Sequence, residues 1–342
     1  MFQYQSLFRK NASNQAGKII GLTILAGIFI TISFFAVFII TMLPSFAFGD
    51  SAWVLLYLFF IFFLLFLFSV FVIYPLSIGI IKFFTSAYTG ESYGFSDLFF
   101  VFRERRYGKA VKLTILVLIG YIIISIGISM LMQLAFTLVN LPFSALLGGL
   151  SYENSIETSA AMITGQIGVF ILMAVVNLTI FLLMYIPYVL LMIYMFLVYL
   201  VFVDQPHIPT MDKFSIAFKV MFQAGQSLVK LFFSNVLLLA GVTILYFVLI
   251  IGGALLIGFL LSAFDSVVLV VLAVVIPTLI FLVLYIYVMY LMVGSIVSFY
   301  YKGRKVLDVR ASEAAGPRDD EREVHDNDFR DDDFRALDDR DY

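Results

Sequence analysis

Six uncharged, apolar stretches run along the chain, and each is long enough to cross a lipid bilayer as a helix. They occupy residues 19–43, 53–81, 113–139, 166–203, 231–261 and 267–301. A bilayer core about 30 Å thick needs roughly 20 apolar residues in a helix. Lipid offers no hydrogen-bond partners to the backbone, so such stretches must be helical. The sequence predicts an all-α fold, a polytopic membrane helix bundle with about six transmembrane helices.

Composition agrees with lipid as the solvent of this chain, because 63% of its residues are hydrophobic and 13% are charged. Soluble domains are nearer half apolar and a quarter charged. The first stretch is longer than the 7–15 apolar residues of a signal peptide, so we interpret it as a true span.

The 21 Lys and Arg residues predict the orientation of the bundle. None lies in the connections 44–52, 140–165 and 262–266. Basic residues accumulate in cytoplasmic loops. We therefore expect both termini in the cytoplasm and localisation in a membrane such as the bacterial cytoplasmic (inner) membrane.

The fourth stretch, residues 166–203, is longer than one crossing requires. Pro187 within it predicts a kink. We expect one long, kinked helix, and the alternative is a pair of re-entrant pieces.

The chain resembles three copies of one unit, at residues 1–90, 91–204 and 205–302, followed by an acidic tail at 303–342. Each unit has a basic lead-in, a span, an outer loop and a second span. These copies all begin and end on the same side, so they are three parallel helix-pair repeats. The second spans share an aromatic centre, which predicts a kink or an apolar groove near Tyr74, Pro75, Pro187 and Tyr188.

Two lead-ins have the pattern of an interfacial amphipathic helix. After Thr210, the residues Met211, Phe214 and Phe218 share one face. Near the N-terminus, Tyr4 and Phe8 form a shorter version. Such helices lie in the membrane interface with the apolar face toward the acyl chains.

Basic residues beside the spans are candidates for contact with lipid head groups. They are Arg103, Arg105, Arg106, Lys109, Lys112, Lys213 and Lys219. Clusters of this size can attract anionic lipids at about 1 kcal/mol per residue. Alternatively, they serve only as signals for topology.

The tail is rich in Asp and Arg, and we expect it to be disordered. The candidate residues for docking to a protein partner are Phe329, Phe334, Leu337 and Tyr342. The alternative is a solubilising tail without a partner.

Catalytic and metal-binding patterns are sparse in this sequence. It contains no Cys and only two His, which argues against thiolate or histidine metal centres. Buried charges usually mark ion paths, and none lies deep in a span. We expect no enzyme activity, no cofactor, no metal and no nucleic-acid partner. Asn177 in the fourth stretch is expected to form an interhelical hydrogen bond.

The six-span plan resembles a broad set of uncharacterised bacterial membrane proteins, including the integral membrane domain attached to some glycerophosphodiester phosphodiesterases. Two lead-ins carry the likeness, from Phe102 to Lys112 and from Phe218 to Lys230. It covers nearly all of the chain before Lys302. The resemblance implies a fold and proximity to lipid, and it transfers no catalytic residue.

Two functions follow as hypotheses. The first is a non-enzymatic integral membrane protein that organises or anchors a partner complex or lipids. The second is an uncoupled, permease-like carrier for an apolar or amphiphilic molecule, which would use a groove near Tyr74 and Tyr188. A lipid-acting enzyme is a third, weaker alternative.

Overall fold

The computed structural model describes residues 2–12, 15–44, 53–103, 105–152, 160–264 and 267–315, and within these ranges it contains helices but no strand. The all-α prediction is confirmed. In chain order the helices are α1 (Gln3–Asn11), α2 (Ala16–Met42), α3 (Trp53–Phe68), α4 (Tyr74–Thr89), α5 (Tyr107–Tyr152), α6 (Ala160–Asp204), α7 (Thr210–Phe218), α8 (Leu228–Phe264) and α9 (Val267–Ala315). A 3-10 helix spans Phe95–Phe102, and π-helical turns occupy Ser69–Ile73 and Lys219–Gln223.

Six of these helical segments are long and apolar enough to cross a membrane. They are α2, the continuous segment from α3 to α4, α5, α6, α8 and α9. Their most apolar windows have a mean hydropathy between 2.4 and 3.0. The chain is therefore a polytopic integral membrane protein, as the sequence predicts.

The two prolines of the predicted groove have different effects on their helices. Pro75 follows the π-helical turn Ser69–Ile73, where the Tyr74 N–H donates to the Ser69 carbonyl. Proline has no N–H to continue an α-helical ladder, and a π turn is one way in which a helix absorbs such a defect. Pro187, in contrast, lies inside α6, which is continuous. The fourth stretch is one helix, and the alternative of two re-entrant pieces is wrong.

Several helices extend beyond their predicted limits. Helix α5 continues to Tyr152, so the predicted connection 140–165 is helical over its first 13 residues. Helix α9 continues past Lys302 to Ala315. The first part of the segment predicted as the tail, up to Ala315, is therefore helical.

Consecutive spans pack as three helix hairpins: α2 with α3–α4, α5 with α6, and α8 with α9. In the second hairpin, the Asn140 and Asn177 side-chain amides exchange two hydrogen bonds of 2.9 Å. In the third, the Tyr246 and Phe281 rings lie 4.6 Å apart. The prediction that Asn177 bonds to a neighbouring helix is confirmed.

The hairpins join through a core at one end of the bundle. This end holds α1, α7 and the loops that carry Lys and Arg, and we name it the basic end. The largest fully buried side chains lie there, including Tyr4, Phe8, Phe83, Phe202 and Tyr300. Toward the opposite end, apolar side chains face outward, where lipid would cover them.

The segments that precede the first, third and fifth spans each pack on the second span of another hairpin. The 3-10 helix Phe95–Phe102 packs on α4, and α7 packs on α6. In both cases the segment contacts the second span of the preceding hairpin. Helix α1 has no preceding hairpin in the chain, and it packs on α9 of the last one. This contact closes a ring of three repeats.

Helix α1 is not the interfacial helix that the sequence predicts. Tyr4 is 2% exposed and Phe8 is fully buried. The Gln5 side-chain amide donates to Ser234 Oγ and Asn235 Oδ1, both at 2.9 Å. The apolar face of α1 is covered by protein because it packs against α9 and α4. Helix α7 keeps Met211 68% exposed, as an interfacial helix would.

Candidate functional site: an apolar chamber between the hairpins

An apolar chamber of about 560 Å³ lies where the three hairpins meet. Its walls come from α2, α4, α6 and α9, so each repeat contributes. Lining residues include Ile20, Tyr74, Phe84, Phe196, Met289 and Tyr290. Cavities of roughly 300–1,000 Å³ with mostly apolar walls are typical of sites for small molecules and cofactors.

The polar groups of this chamber are side-chain hydroxyls, and two of them matter here. Tyr290 is 3% exposed, and its hydroxyl has no hydrogen-bond partner among the described residues. The Thr23 hydroxyl is also buried and unpartnered within the described part of the chain. A third hydroxyl, that of Ser77, donates to the Ile73 carbonyl of its own helix at 2.9 Å. Buried polar groups in proteins are nearly always paired, so the hydrogen-bonding capacity of Tyr290 and Thr23 is unused among the described residues.

A layer of aromatic rings lies on the basic side of the chamber. The Phe8 ring is 6.0 Å from the Phe84 ring and 5.4 Å from the Tyr290 ring. On its other side, Phe8 stacks on Tyr88 at 6.2 Å. Phe84 and Tyr290 line the chamber, whereas Tyr88 does not. Helix α1 therefore supplies the ring that separates the chamber from the basic end.

A second cavity of about 380 Å³ lies beside the chamber. Tyr74, Phe196 and Tyr199 line both cavities, and they form the wall between them. Thr114 and Tyr121 of α5 complete the second cavity.

The predicted groove residues lie in two different places. Tyr74 lines the chamber, and Pro75 is buried beside it. The Tyr188 hydroxyl instead lies 2.7 Å from Ser129 Oγ, between α6 and α5. Pro187 does not line the chamber either. The groove therefore includes Tyr74 but not the pair in α6.

Most of the predicted head-group residues are exposed at the basic end. Arg103, Arg105, Lys109, Lys112 and Lys219 are exposed. Arg106 is half-buried, with its guanidinium 4.5 Å from the centre of the Phe100 ring. Their contact with lipid stays a prediction.

Lys213 is the exception, since it is 1% exposed and cannot reach a lipid surface in this arrangement. Its ammonium donates to the Ile208 carbonyl and lies 5.5 Å from the centre of the Phe202 ring. Burial lowers the pKa of Lys213 to about 8, and the charge of Lys109 adds to this effect.

The predicted docking residues Phe329, Phe334, Leu337 and Tyr342 lie outside the described residues. Within the described ranges, no group of three or more His, Cys, Asp or Glu residues is placed to hold a metal ion.

Sequence reasoning missed most of the chamber lining, including Thr23 and Tyr290, and also the Phe8 ring that packs against it. The third repeat offers one signal, because Tyr285 and Tyr287 continue the aromatic centre toward Tyr290. Nothing local indicates that Phe8 belongs beside Tyr290, almost the whole chain away.

The chain matches no protein-family model, no curated protein and no solved structure.

Proposed function

We propose that this chain is a non-enzymatic membrane protein that binds an apolar or amphiphilic molecule, with the apolar part of the ligand in the chamber. The observation that carries the proposal is a mostly apolar cavity whose lining includes Tyr290, with a buried hydroxyl that has no partner among the described residues. An unpaired buried hydroxyl costs free energy. A ligand ester, hydroxyl or carbonyl would supply the missing partner.

The ligand class follows from the walls of the chamber. Ile20, Ile24 and Ile81 offer no charge, and an ion inside such a cavity would be strongly disfavoured. The methylene chain of a ligand is compatible with these walls. One hydrogen-bonding group of the same ligand would lie near Tyr290 or Thr23. Both the carrier hypothesis and the lipid-organising hypothesis include a site of this kind.

We further propose that the basic end faces the cytoplasm, on the basis of the Lys and Arg distribution. The chamber borders α1 and the core of the basic end, so it would lie in the cytoplasmic half of the bilayer. Lipids of that leaflet would then be the nearest source of ligand.

The test is native mass spectrometry of the full chain purified gently from its own membrane. We expect a retained lipid or amphiphile, and Ser77→Phe, which fills the chamber, should reduce its occupancy at least about fivefold. Thr243→Phe is the matched control. Thr243 is exposed, and its hydroxyl, like that of Ser77, donates to a carbonyl of its own helix at 2.9 Å.

Equal ligand occupancy in the Ser77→Phe variant and the wild type would exclude the chamber as the site. A stoichiometric protein partner without any lipid would instead support the partner-organising hypothesis. In that case truncation after Arg310 should release the partner.

A further inference from the structure

A third and larger cavity, of about 1190 Å³, lies at the basic end of the bundle. We name it the vestibule. Its walls come from α1, the last turn of α4, the end of α6 and the extension of α9. Its charged lining residues are Lys10, Asp204, Lys302, Arg304, Lys305 and Asp308.

The two acidic groups of the vestibule already have partners. Asp308 pairs with Arg304 at 3.4 Å. Asp204 accepts a hydrogen bond from the Tyr300 hydroxyl at 2.8 Å. None of the lysines Lys10, Lys302 and Lys305 forms an ion pair with another described residue. The vestibule therefore has an excess of positive charge, held on α1 and α9.

A layer of aromatic rings lies between the vestibule and the chamber. Tyr88 lines the vestibule and stacks on Phe8. Phe8 in turn contacts Phe84 and Tyr290, which line the chamber. These ring contacts link the basic cavity to the apolar one, and they must rearrange for a single ligand to occupy both.

We propose that the vestibule and the chamber are two parts of one site for an anionic amphiphile. The phosphate or carboxylate head group binds to Lys10, Lys302 and Lys305, and the chain occupies the chamber. This inference rests on the proposed function and narrows its ligand class. Charge attraction supplies the preference for an anion, since lysines near an anionic head group each add to the affinity.

The experiment measures binding of three probes to the purified full chain in neutral detergent: hexadecyl phosphate, hexadecanol and inorganic phosphate. We expect hexadecyl phosphate to bind at least about tenfold more tightly than hexadecanol. The triple variant Lys10→Gln, Lys302→Gln, Lys305→Gln should lose this preference and retain its affinity for hexadecanol. The control triple variant Arg9→Gln, Lys18→Gln, Lys230→Gln changes exposed basic residues that do not line the vestibule, and it should keep the preference.

Each other outcome overturns the inference in a different way. If the first triple variant keeps the preference for hexadecyl phosphate, the head group binds elsewhere and the inference is wrong. A second outcome is that hexadecyl phosphate binds, hexadecanol does not bind, and inorganic phosphate competes fully. The protein would then have only an anion site, and the proposed function would be wrong as well. A third outcome is that hexadecyl phosphate binds only to a variant truncated after Ala315. The acidic tail would then be the occupant of the vestibule in the full chain.

Discussion

The Phe8 ring of α1 lies directly against Gly294 of α9, so that a Cβ built on Gly294 would be 2.1 Å from Phe8 Cδ1. This approach is possible only because Gly294 has no side chain. It joins the first repeat to the last and holds the ring that separates the chamber from the vestibule. A comparable contact occurs at Gly79, whose Cβ would lie 2.1 Å from the Leu98 carbonyl oxygen.

Gly294→Ala is expected to displace Phe8 and destabilise the protein. Overpacking of a close contact typically costs about 1–3 kcal/mol. The thermal unfolding midpoint in detergent should therefore fall, and the chamber should become accessible from the vestibule. Fluorescence-monitored unfolding measures the first effect.

The control for this variant is Gly127→Ala in α5, where a Cβ would meet nothing within 4 Å. Ala stabilises a helix relative to Gly by about 1 kcal/mol, so this midpoint should not fall. Equal losses in the two variants would show that close packing at Gly294 is unimportant.

Gln5→Ala is expected to loosen α1 from the core. Gln5 donates to Ser234 and Asn235, and the variant leaves those buried groups with fewer partners. Loss of a buried hydrogen-bond partner costs about 1–3 kcal/mol. Protease cleavage near the N-terminus should become faster, whereas Gln3→Ala, at an exposed position of the same helix, should leave the rate unchanged.

The reciprocal amide pair of Asn140 and Asn177 is expected to stabilise the second hairpin. Interhelical hydrogen bonds in membranes contribute about 0.6–2 kcal/mol. A double-mutant cycle with Asn140→Leu and Asn177→Leu should give a coupling free energy in this range. Additive effects of the two substitutions would mean that the pair contributes no net stability.

The sequence predicts those features that depend on a bilayer or on local chemistry. Six spans follow from stretch length, and Asn177 follows from the need of an amide for a partner in an apolar environment. The aromatic centre that recurs in the second spans predicts a groove near Tyr74, and Tyr74 lines the chamber. In each case the physical cause is contained within one segment or one residue type.

Contacts between distant segments could not be predicted in this way. Phe8 and Met211 occur in similar apolar patterns, yet Phe8 is buried by α9 and Met211 is exposed. Lipid tails are about as apolar as a protein interior, so hydrophobicity alone does not distinguish the two environments. For the same reason, the sequence predicts both Tyr74 and Tyr188 in the groove, although only Tyr74 lines the chamber.

Orientation can be tested by cysteine labelling, since the natural chain contains no Cys. We expect single cysteines at positions 50 and 157 to react from outside intact cells. Cysteines at positions 212 and 328 should react only after permeabilisation, because their segments are predicted to be cytoplasmic. External labelling at position 212 would refute this orientation.

Lys213 is expected to make stability depend on pH in the alkaline range. Burial, together with the charge of Lys109, lowers its pKa from 10.5 to about 8, and the charge of Asp212 opposes the shift. Between pH 8 and 10.5 the unfolded chain binds more protons than the folded one, so this contribution to stability rises with pH. Below pH 8 both states hold the proton, and the cost of the buried charge is constant.

Lys213→Met should therefore raise the unfolding midpoint at pH 7, by at least about 2 °C. It should also flatten the increase in stability between pH 8 and 10. The control is Lys219→Met, because Lys219 is exposed and should not change the profile. If both variants retain the wild-type profile, the ammonium of Lys213 is solvated in the folded protein, and α7 does not hold it against Phe202.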